Sequence, residues 1–167
     1  MSMQLEFATR KKAKIKMALQ GPSGAGKTYS ALLLAHGLCN IWEKIGVIDT
    51  ENGSSNLYAH LGPFKVMTLA APFTPEKYSQ ALSICIKHEL EVIIIDSISH
   101  EWEGSGGILD THSAMAGNSF TNWSNVTPRH MCNPSCRHQS ISFVLSGQSR
   151  IMCSQKRTAK WCRKKWA

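Results

Sequence analysis

Short apolar runs alternate along the chain with segments of helical period. The runs predict strands at residues 14–20, 45–49, 64–69 and 91–96. The last run is β-branched and continuously apolar, as a parallel strand buried on both faces should be. Strands that alternate with helices predict an α/β fold, with a parallel sheet covered by helices on both faces.

Two helices are predicted between these strands. The first runs from residue 27 to about residue 40, and its apolar face is predicted to comprise Ala31, Leu32, Leu34, Ala35 and Leu38. The second runs to about residue 90 and has a strong start signal, with Thr74 as N-cap and Pro75 at the first helical position. A third is predicted to start at Thr127, again as an N-cap before a proline.

The glycine-rich segment between the first strand and the first helix predicts a phosphate-binding loop. It matches the pattern G-x-x-x-x-G-K-[ST] in full and lies after a strand and before a helix, as this loop requires. Backbone N–H groups and the helix N-terminus would bind phosphate oxygens. Lys27 would reach the β- and γ-phosphates, and Thr28 would ligate Mg²⁺ through its hydroxyl. The predicted nucleotide-binding residues are Gly21, Pro22, Ser23, Gly24, Ala25, Gly26, Lys27, Thr28 and Tyr29.

Carboxylates follow two of the predicted strands. Asp96 ends the apolar strand and is predicted to hold the Mg²⁺ shell, as a Walker B aspartate does. The alternative is a cap of the next helix, and Ser97 is a further candidate for the metal's water. Glu51 follows another strand end and is predicted to orient the attacking water, the alternative being a solvated loop residue. Lys27, Glu51 and Asp96 are thus the candidate catalytic residues.

The segments GPSGAGKT, VIDTENGS, VIIIDSISHEWEG, GNSF and TPRH resemble the RecA-like AAA-family ATPases of phages and prophages, over about residues 10–130. The resemblance implies a RecA-like P-loop core that binds ATP and Mg²⁺, with Glu51 as catalytic glutamate and Asp96 as Walker B aspartate. Some relatives act in recombination and single-strand annealing, which implies single-stranded DNA and a homo-oligomer as partners. The family would also supply a further strand after TPRH, where this sequence departs from it.

The chain changes character near residue 130. Residues 1–130 hold 11 Lys/Arg and 11 Asp/Glu, whereas residues 131–167 hold the other 8 Lys/Arg and no acid. Four of the six cysteines also lie after residue 130. The net charge of +8 therefore belongs to the C-terminal segment and not to the predicted core.

We predict that residues 131–167 are translated out of frame, after the loss of one base within an Asn codon that follows His130. One permitted reading of the shifted frame contains the apolar strand I-H-I-I-C-T-I and an Asn-Gly turn between strand-like flanks. The sheet is then expected to be incomplete at its C-terminal end, the segment poorly ordered, and ATP hydrolysis impaired. Two alternatives remain: a zinc site, whose spacing C-x3-C-x16-C-x8-C is unusual, and a basic nucleic-acid-binding stretch at 156–165.

Several functions are compatible with a phosphate-binding loop. The leading hypothesis is an ATPase acting on DNA recombination intermediates, and the alternatives are a motor or regulatory component and a nonenzymatic remnant. A small-molecule kinase is disfavoured because residues 1–130 contain only Arg10 and Arg129, too few for an arginine-rich lid. No apolar run reaches the 18 or so residues that a membrane span needs, and residues 1–16 lack a signal-peptide pattern. We therefore expect a cytoplasmic protein, bacterial or in a phage-infected cell.

Overall fold

A computed structural model of the protein describes residues 16–127 and the backbone of residues 141–146. Within these residues the strands form one sheet in the order β1-β5-β4-β2-β3, and every pair is parallel. The strands are β1 Lys16–Gln20, β2 Ile45–Asp49, β3 Lys65–Thr68, β4 Val92–Asp96 and β5 Ile141–Ser146. The predicted α/β fold with a parallel sheet is confirmed.

Helices connect the strands, and short 3₁₀ segments at Trp42–Lys44 and Ser54–Leu61 flank β2. Thr74 caps α2 as predicted, since its side chain accepts a hydrogen bond from the Lys77 N–H and Pro75 is the first helical residue. The helices are α1 Lys27–Cys39, α2 Pro75–Lys87, α3 Ser99–Glu103, α4 Ile108–Ala114 and α5 Ser119–Val126.

The core has two parts, one on each face of the sheet. Successive residues of a strand point to opposite faces, so β4 sends Val92 and Ile94 towards α1, and Ile93 and Ile95 towards α2. All four side chains are buried. The unbroken apolar run of β4 therefore reflects a strand covered by helices on both sides.

The apolar face predicted for α1 is only partly correct. Ala31, Leu32 and Ala35 are fully buried against the sheet. Leu34 and Leu38, which were predicted to share this face, are 42% and 41% exposed. These two leucines lie one turn apart on the same flank of the helix. The buried face of α1 is therefore narrower than the apolar face predicted from the sequence, and it is shifted away from these leucines.

The carboxyl ends of the parallel strands define one edge of the sheet. β2 and β4 pair in a register that places Asp49 opposite Asp96, and the Thr50 N–H extends this ladder by donating to the Asp96 carbonyl at 2.6 Å. The phosphate-loop segment begins at the same edge, where Gln20 pairs with Ser146. Parallel pairing thus brings segments that are distant in sequence to one place.

The sheet differs from the sequence expectation at β5. The strand predicted to be missing after β4 is present, formed by residues 141–146 of the C-terminal segment, and it pairs with β1 on one side and β4 on the other. Its sequence ISFVLS is rich in β-branched and aromatic residues, which favour strands. The prediction that residues 131–167 are out of frame remains a prediction, and the rest of that segment lies outside the described residues.

The helix predicted to start at Thr127 would lie in residues that the structure does not describe. Thr127 has helical dihedral angles and is the C-cap of α5, and its hydroxyl donates to the Trp123 carbonyl. The Trp123 carbonyl thus accepts both the N–H and the hydroxyl of Thr127 at the end of α5. The proline that follows lies outside the described residues.

Two truncations test the role of β5. Ending the chain after residue 130 removes β5 and leaves the facing edges of β1 and β4 unpaired, so we expect loss of cooperative urea unfolding and aggregation during expression. Ending it after residue 146 keeps β5 and serves as the matched control, which should unfold cooperatively. Equal soluble yield and equal unfolding midpoints for the two truncations would contradict the placement of β5 inside the sheet.

Candidate functional site

The loop between β1 and α1 has the backbone that its glycines predict. Gly24 and Gly26 adopt positive φ angles of 77° and 72°, which a residue with a Cβ atom rarely adopts. Gly26 is also the N-cap of α1, so the loop leads directly into the helix N-terminus. No atom lies within 4 Å of a Cβ built at either glycine, so the surface of the loop is open there.

Lys27 is the first residue of α1, and its ammonium group lies over the loop. Its Nζ atom donates to the Pro22 carbonyl at 2.9 Å in an exposed position. An ammonium group has three protons, so this bond leaves two for an anion bound at the loop.

The next residue connects the loop to the end of β4. The Thr28 hydroxyl donates to Oδ2 of Asp96 at 2.5 Å, although 68 residues separate the two in sequence. Asp96 is 1% exposed. A charged acceptor shortens and strengthens such a bond, which fixes the Asp96 carboxylate beside the first turn of α1.

The electrostatic environment of Asp96 is dominated by burial and by other carboxylates. Burial raises the pKa of Asp96 most, and the negative charges of Glu51 and Asp49 raise it further. The hydrogen bond from Thr28 and the charge of Lys27 lower the pKa, but the net shift is upward. Negative charge is therefore concentrated at this edge of the sheet, where a bound cation would be stabilised.

Glu51 lies in the turn after β2, and its side chain is exposed to solvent. The turn is organised by Asp49, which is fully buried. Oδ1 of Asp49 accepts from the Glu51 N–H at 2.7 Å and from the Gly53 N–H at 3.3 Å. Oδ2 accepts from both the N–H and the hydroxyl of Ser55, at 2.8 and 2.5 Å.

Asp49 is therefore a structural carboxylate that holds the backbone of Glu51, a role that sequence reasoning missed. A signal was available in the sequence D-T-E-N-G-S-S, because an aspartate before Asn, Gly and Ser is typical of a turn closed on the aspartate side chain.

Thr50 forms a second, buried set of contacts that sequence reasoning also missed. Its Oγ1 accepts from the Ser97 N–H at 2.8 Å, donates to the Ser97 carbonyl at 3.1 Å, and lies 2.7 Å from Nδ1 of His100. The Tyr78 hydroxyl donates to the same Ser97 carbonyl at 3.2 Å. Burial, followed by the charge of Glu101, raises the pKa of Tyr78, so the phenol stays protonated and remains a donor.

Ser97, a sequence candidate for the metal's water, is itself buried and makes local contacts. Its Oγ accepts from the Ser99 N–H at 3.2 Å, in the turn that leads into α3. The hydroxyl thus satisfies a backbone group that the start of the helix would otherwise leave free.

Three other polar residues that follow β4, His100, Glu101 and Glu103, occupy different environments. Glu101 is fully buried, whereas Glu103 is exposed. The His100 ring stacks on Phe73 with a centroid distance of 5.0 Å. His100 also lines a cavity of about 520 Å³. The other residues that line it are Thr50, Glu51, Asn52, Ala70, Ala71 and Phe73.

Tyr29, the last of the predicted nucleotide-binding residues, lies one residue beyond the loop threonine. Its ring is 42% exposed and lies 6.0 Å from that of Tyr58, at an interplanar angle of 50°. The two aromatic rings form a partly exposed surface next to the loop.

The structure thus brings Lys27, Thr28, Glu51 and Asp96 to one edge of the sheet, while their chemical roles remain predictions. The longest helices in the described part of the chain, α1 and α2, have 13 residues each, and none there could span a membrane.

Comparison with known proteins agrees with this geometry. A sequence model of the family described as "AAA domain" matches residues 13–132, which is well over half of the chain and includes the phosphate loop, Glu51 and Asp96. No curated protein matches the chain significantly. The chain therefore belongs to the AAA domain family, as an AAA-type P-loop NTPase with a nucleotide-binding core.

Proposed function

We propose that the protein binds ATP and hydrolyses it in a Mg²⁺-dependent reaction. The observation that carries the proposal is the 2.5 Å hydrogen bond between Thr28 and Asp96. It joins a loop suited to phosphate with a buried carboxylate at the end of a strand, and these are the two elements that P-loop NTPases need around their metal.

The residues present fit a magnesium ion. A hydroxyl and a carboxylate are the hard oxygen donors that Mg²⁺ prefers, and the ion usually keeps water and phosphate oxygens in the rest of its shell. In agreement, the described residues contain no group of three or more His, Cys, Asp or Glu that could hold a metal by themselves. Thr28 and Asp96 would therefore hold the ion together with a nucleotide, and the ion would neutralise charge on the phosphates.

The loop residues have separable roles in this proposal. The N–H groups from Ser23 to Thr28 bind the phosphates, and Lys27 neutralises the β- and γ-phosphates. Tyr29 contributes to the nucleotide site through its exposed ring beside Tyr58. The sequence contains no guanine-reading N-K-x-D stretch, which favours ATP over GTP.

Glu51 orients the attacking water. Its exposed carboxylate lies at the same edge as Asp96 and is close enough to raise the pKa of Asp96. Within the described residues the hydrogen bonds of Glu51 are made by its backbone, whose N–H donates to Asp49 and whose carbonyl accepts from the Ser54 N–H, so its side chain is available as an acceptor. A general base at this position needs such a free carboxylate.

We further propose that ATP hydrolysis serves phage-type DNA recombination or single-strand annealing, with single-stranded DNA and further copies of the chain as partners. The support is the resemblance of residues 10–130 to phage and prophage RecA-like ATPases. The basic segment after residue 130 would add sequence-independent attraction to phosphate.

One observation favours a second candidate, a nucleotide-binding remnant that does not hydrolyse ATP. The match to the family ends at residue 132, next to the point where acids disappear from the sequence. A chain that left its reading frame there would keep the phosphate loop, Glu51 and Asp96. It would lack the family's own side chains at the tip of β5.

Thr28→Val tests the metal-binding contact. The variant keeps the shape of the side chain but removes the hydroxyl, so Mg²⁺-dependent tightening of ATP binding should fall by at least about 10-fold. Thr28→Ser keeps the hydroxyl and should retain the tightening. Binding is measured with a fluorescent ATP analogue, with and without Mg²⁺. Equal Mg²⁺ dependence in the valine variant and the unchanged protein would rule out Thr28 as a ligand.

Glu51→Gln tests the water-orienting role. Loss of the carboxylate should lower kcat by about 10²–10⁴-fold and leave the Kd for ATP nearly unchanged. Glu91→Gln is the matched control and should leave kcat unchanged, because Glu91 is an exposed glutamate just before β4, at the edge of the sheet opposite to Glu51. If the unchanged protein binds ATP but does not hydrolyse it, the second candidate function, a nucleotide-binding remnant, is correct.

The link to DNA is tested by steady-state ATPase assays and by fluorescence-based annealing of complementary oligonucleotides. Single-stranded DNA should raise the ATPase rate, and annealing should require ATP. Deleting residues 147–167 removes most of the basic segment and keeps β5. This deletion therefore separates DNA binding by the ATPase core from DNA binding by the basic segment. Stimulation that disappears with this deletion and with added salt would reveal charge attraction alone.

A further inference from the structure

The buried contacts around Thr50 join the ends of β2 and β4 immediately beside Glu51. A hydroxyl has one proton and accepts up to two hydrogen bonds. The Thr50 hydroxyl has three neighbours within hydrogen-bond distance: the Ser97 N–H, the Ser97 carbonyl and Nδ1 of His100. All three contacts are hydrogen bonds at once only if Thr50 donates to the carbonyl and His100 donates from Nδ1.

Of the three neighbours of the Thr50 hydroxyl, Nδ1 of His100 is the one that belongs to a side chain. The Ser97 groups are backbone, whereas His100 lies in α3, and its ring is held in place by stacking on Phe73 at 5.0 Å. With its proton on Nδ1, the ring would supply a donor in a fixed orientation and would hold the Thr50 hydroxyl in the rotamer that bonds to Ser97.

The backbone of Glu51 is restrained from two sides. Its own N–H is held by Asp49 at 2.7 Å, and the preceding residue is held through the Thr50 side chain. The Glu51 side chain is exposed, so these restraints act on its backbone and set where the carboxylate begins. Among the residues that the structure describes, no phosphate-loop residue takes part in the hydrogen bonds of the Thr50 side chain, and none lines the cavity beside His100.

We infer that His100 is a positioning residue that fixes Glu51 through Thr50. The inference rests on the proposed function, in which Glu51 orients the attacking water. His100 touches neither the phosphate loop nor Asp96 in the described contacts, so its effect is on placement of the carboxylate and not on nucleotide binding.

Two substitutions separate the hydrogen bond from the stacking contact. His100→Phe keeps a flat ring against Phe73 but removes the donor to Thr50. His100→Asn places an amide nitrogen near the position of Nδ1 but removes the ring. We expect His100→Phe to lower kcat by about 10-fold or more with KM and Kd for ATP unchanged, because a misplacement of about 1 Å can cost about 10²-fold in rate. His100→Asn should retain most of the kcat of the unchanged protein.

A second measurement does not depend on turnover. Amide hydrogen exchange of Glu51, measured by NMR in the full chain, should be faster in His100→Phe than in the unchanged protein and close to normal in His100→Asn. Nitrogen NMR of the unchanged protein should find the His100 proton on Nδ1. A His100 ring that carries its proton only on Nε2, or unaltered Glu51 exchange in His100→Phe, would overturn the inference.

The outcomes distinguish this inference from the proposed function. Absence of ATP hydrolysis in the unchanged protein contradicts the proposed function, and the exchange measurement still decides whether His100 restrains Glu51. Normal kcat in His100→Phe, in a protein that does hydrolyse ATP, contradicts the inference alone. A parallel loss of ATP binding in both variants would also overturn it, since that indicates a general structural role.

Discussion

The parallel pairing of β2 with β4 is the constraint on which the candidate site depends. Its register places Asp49 opposite Asp96, and the ladder continues with the Thr50 N–H bonded to the Asp96 carbonyl. Because both strands end at the same level, the residues that follow them meet at one edge. A shift of one residue would turn every side chain of a strand to the other face and separate Asp96 from Thr28.

Three carboxylates lie at this edge, and the structure gives each a different environment. Asp49 is buried and accepts hydrogen bonds from Glu51, Gly53 and Ser55, so it stabilises the turn. Asp96 is buried beside the Thr28 hydroxyl, and its pKa is raised by burial and by its acidic neighbours. Glu51 is exposed. Environment therefore separates a buried carboxylate that holds the turn from a buried carboxylate beside the phosphate loop and from an exposed carboxylate at the same edge.

The position of β5 has a physical explanation that does not require the family's sequence. The gap between β1 and β4 needs a short parallel strand, and any apolar, β-branched stretch of about six residues can pair there through its backbone. The in-frame sequence ISFVLS and the shifted reading I-H-I-I-C-T-I fall at the same point of the chain, and both meet this need.

The sequence by itself determined the α/β class, the first four strands, α1, α2 and the phosphate loop, because each has a local signature such as an apolar run, a cap or a glycine pattern. It also singled out Glu51 and Asp96 as candidate site residues, since acids at strand ends stand out. Only the tertiary structure decided that Asp49 holds the turn, that Thr50 and His100 meet, that Leu34 and Leu38 are exposed, and that β5 enters the sheet. Those features depend on strand order, register and helix orientation, which arise from contacts between residues far apart in sequence.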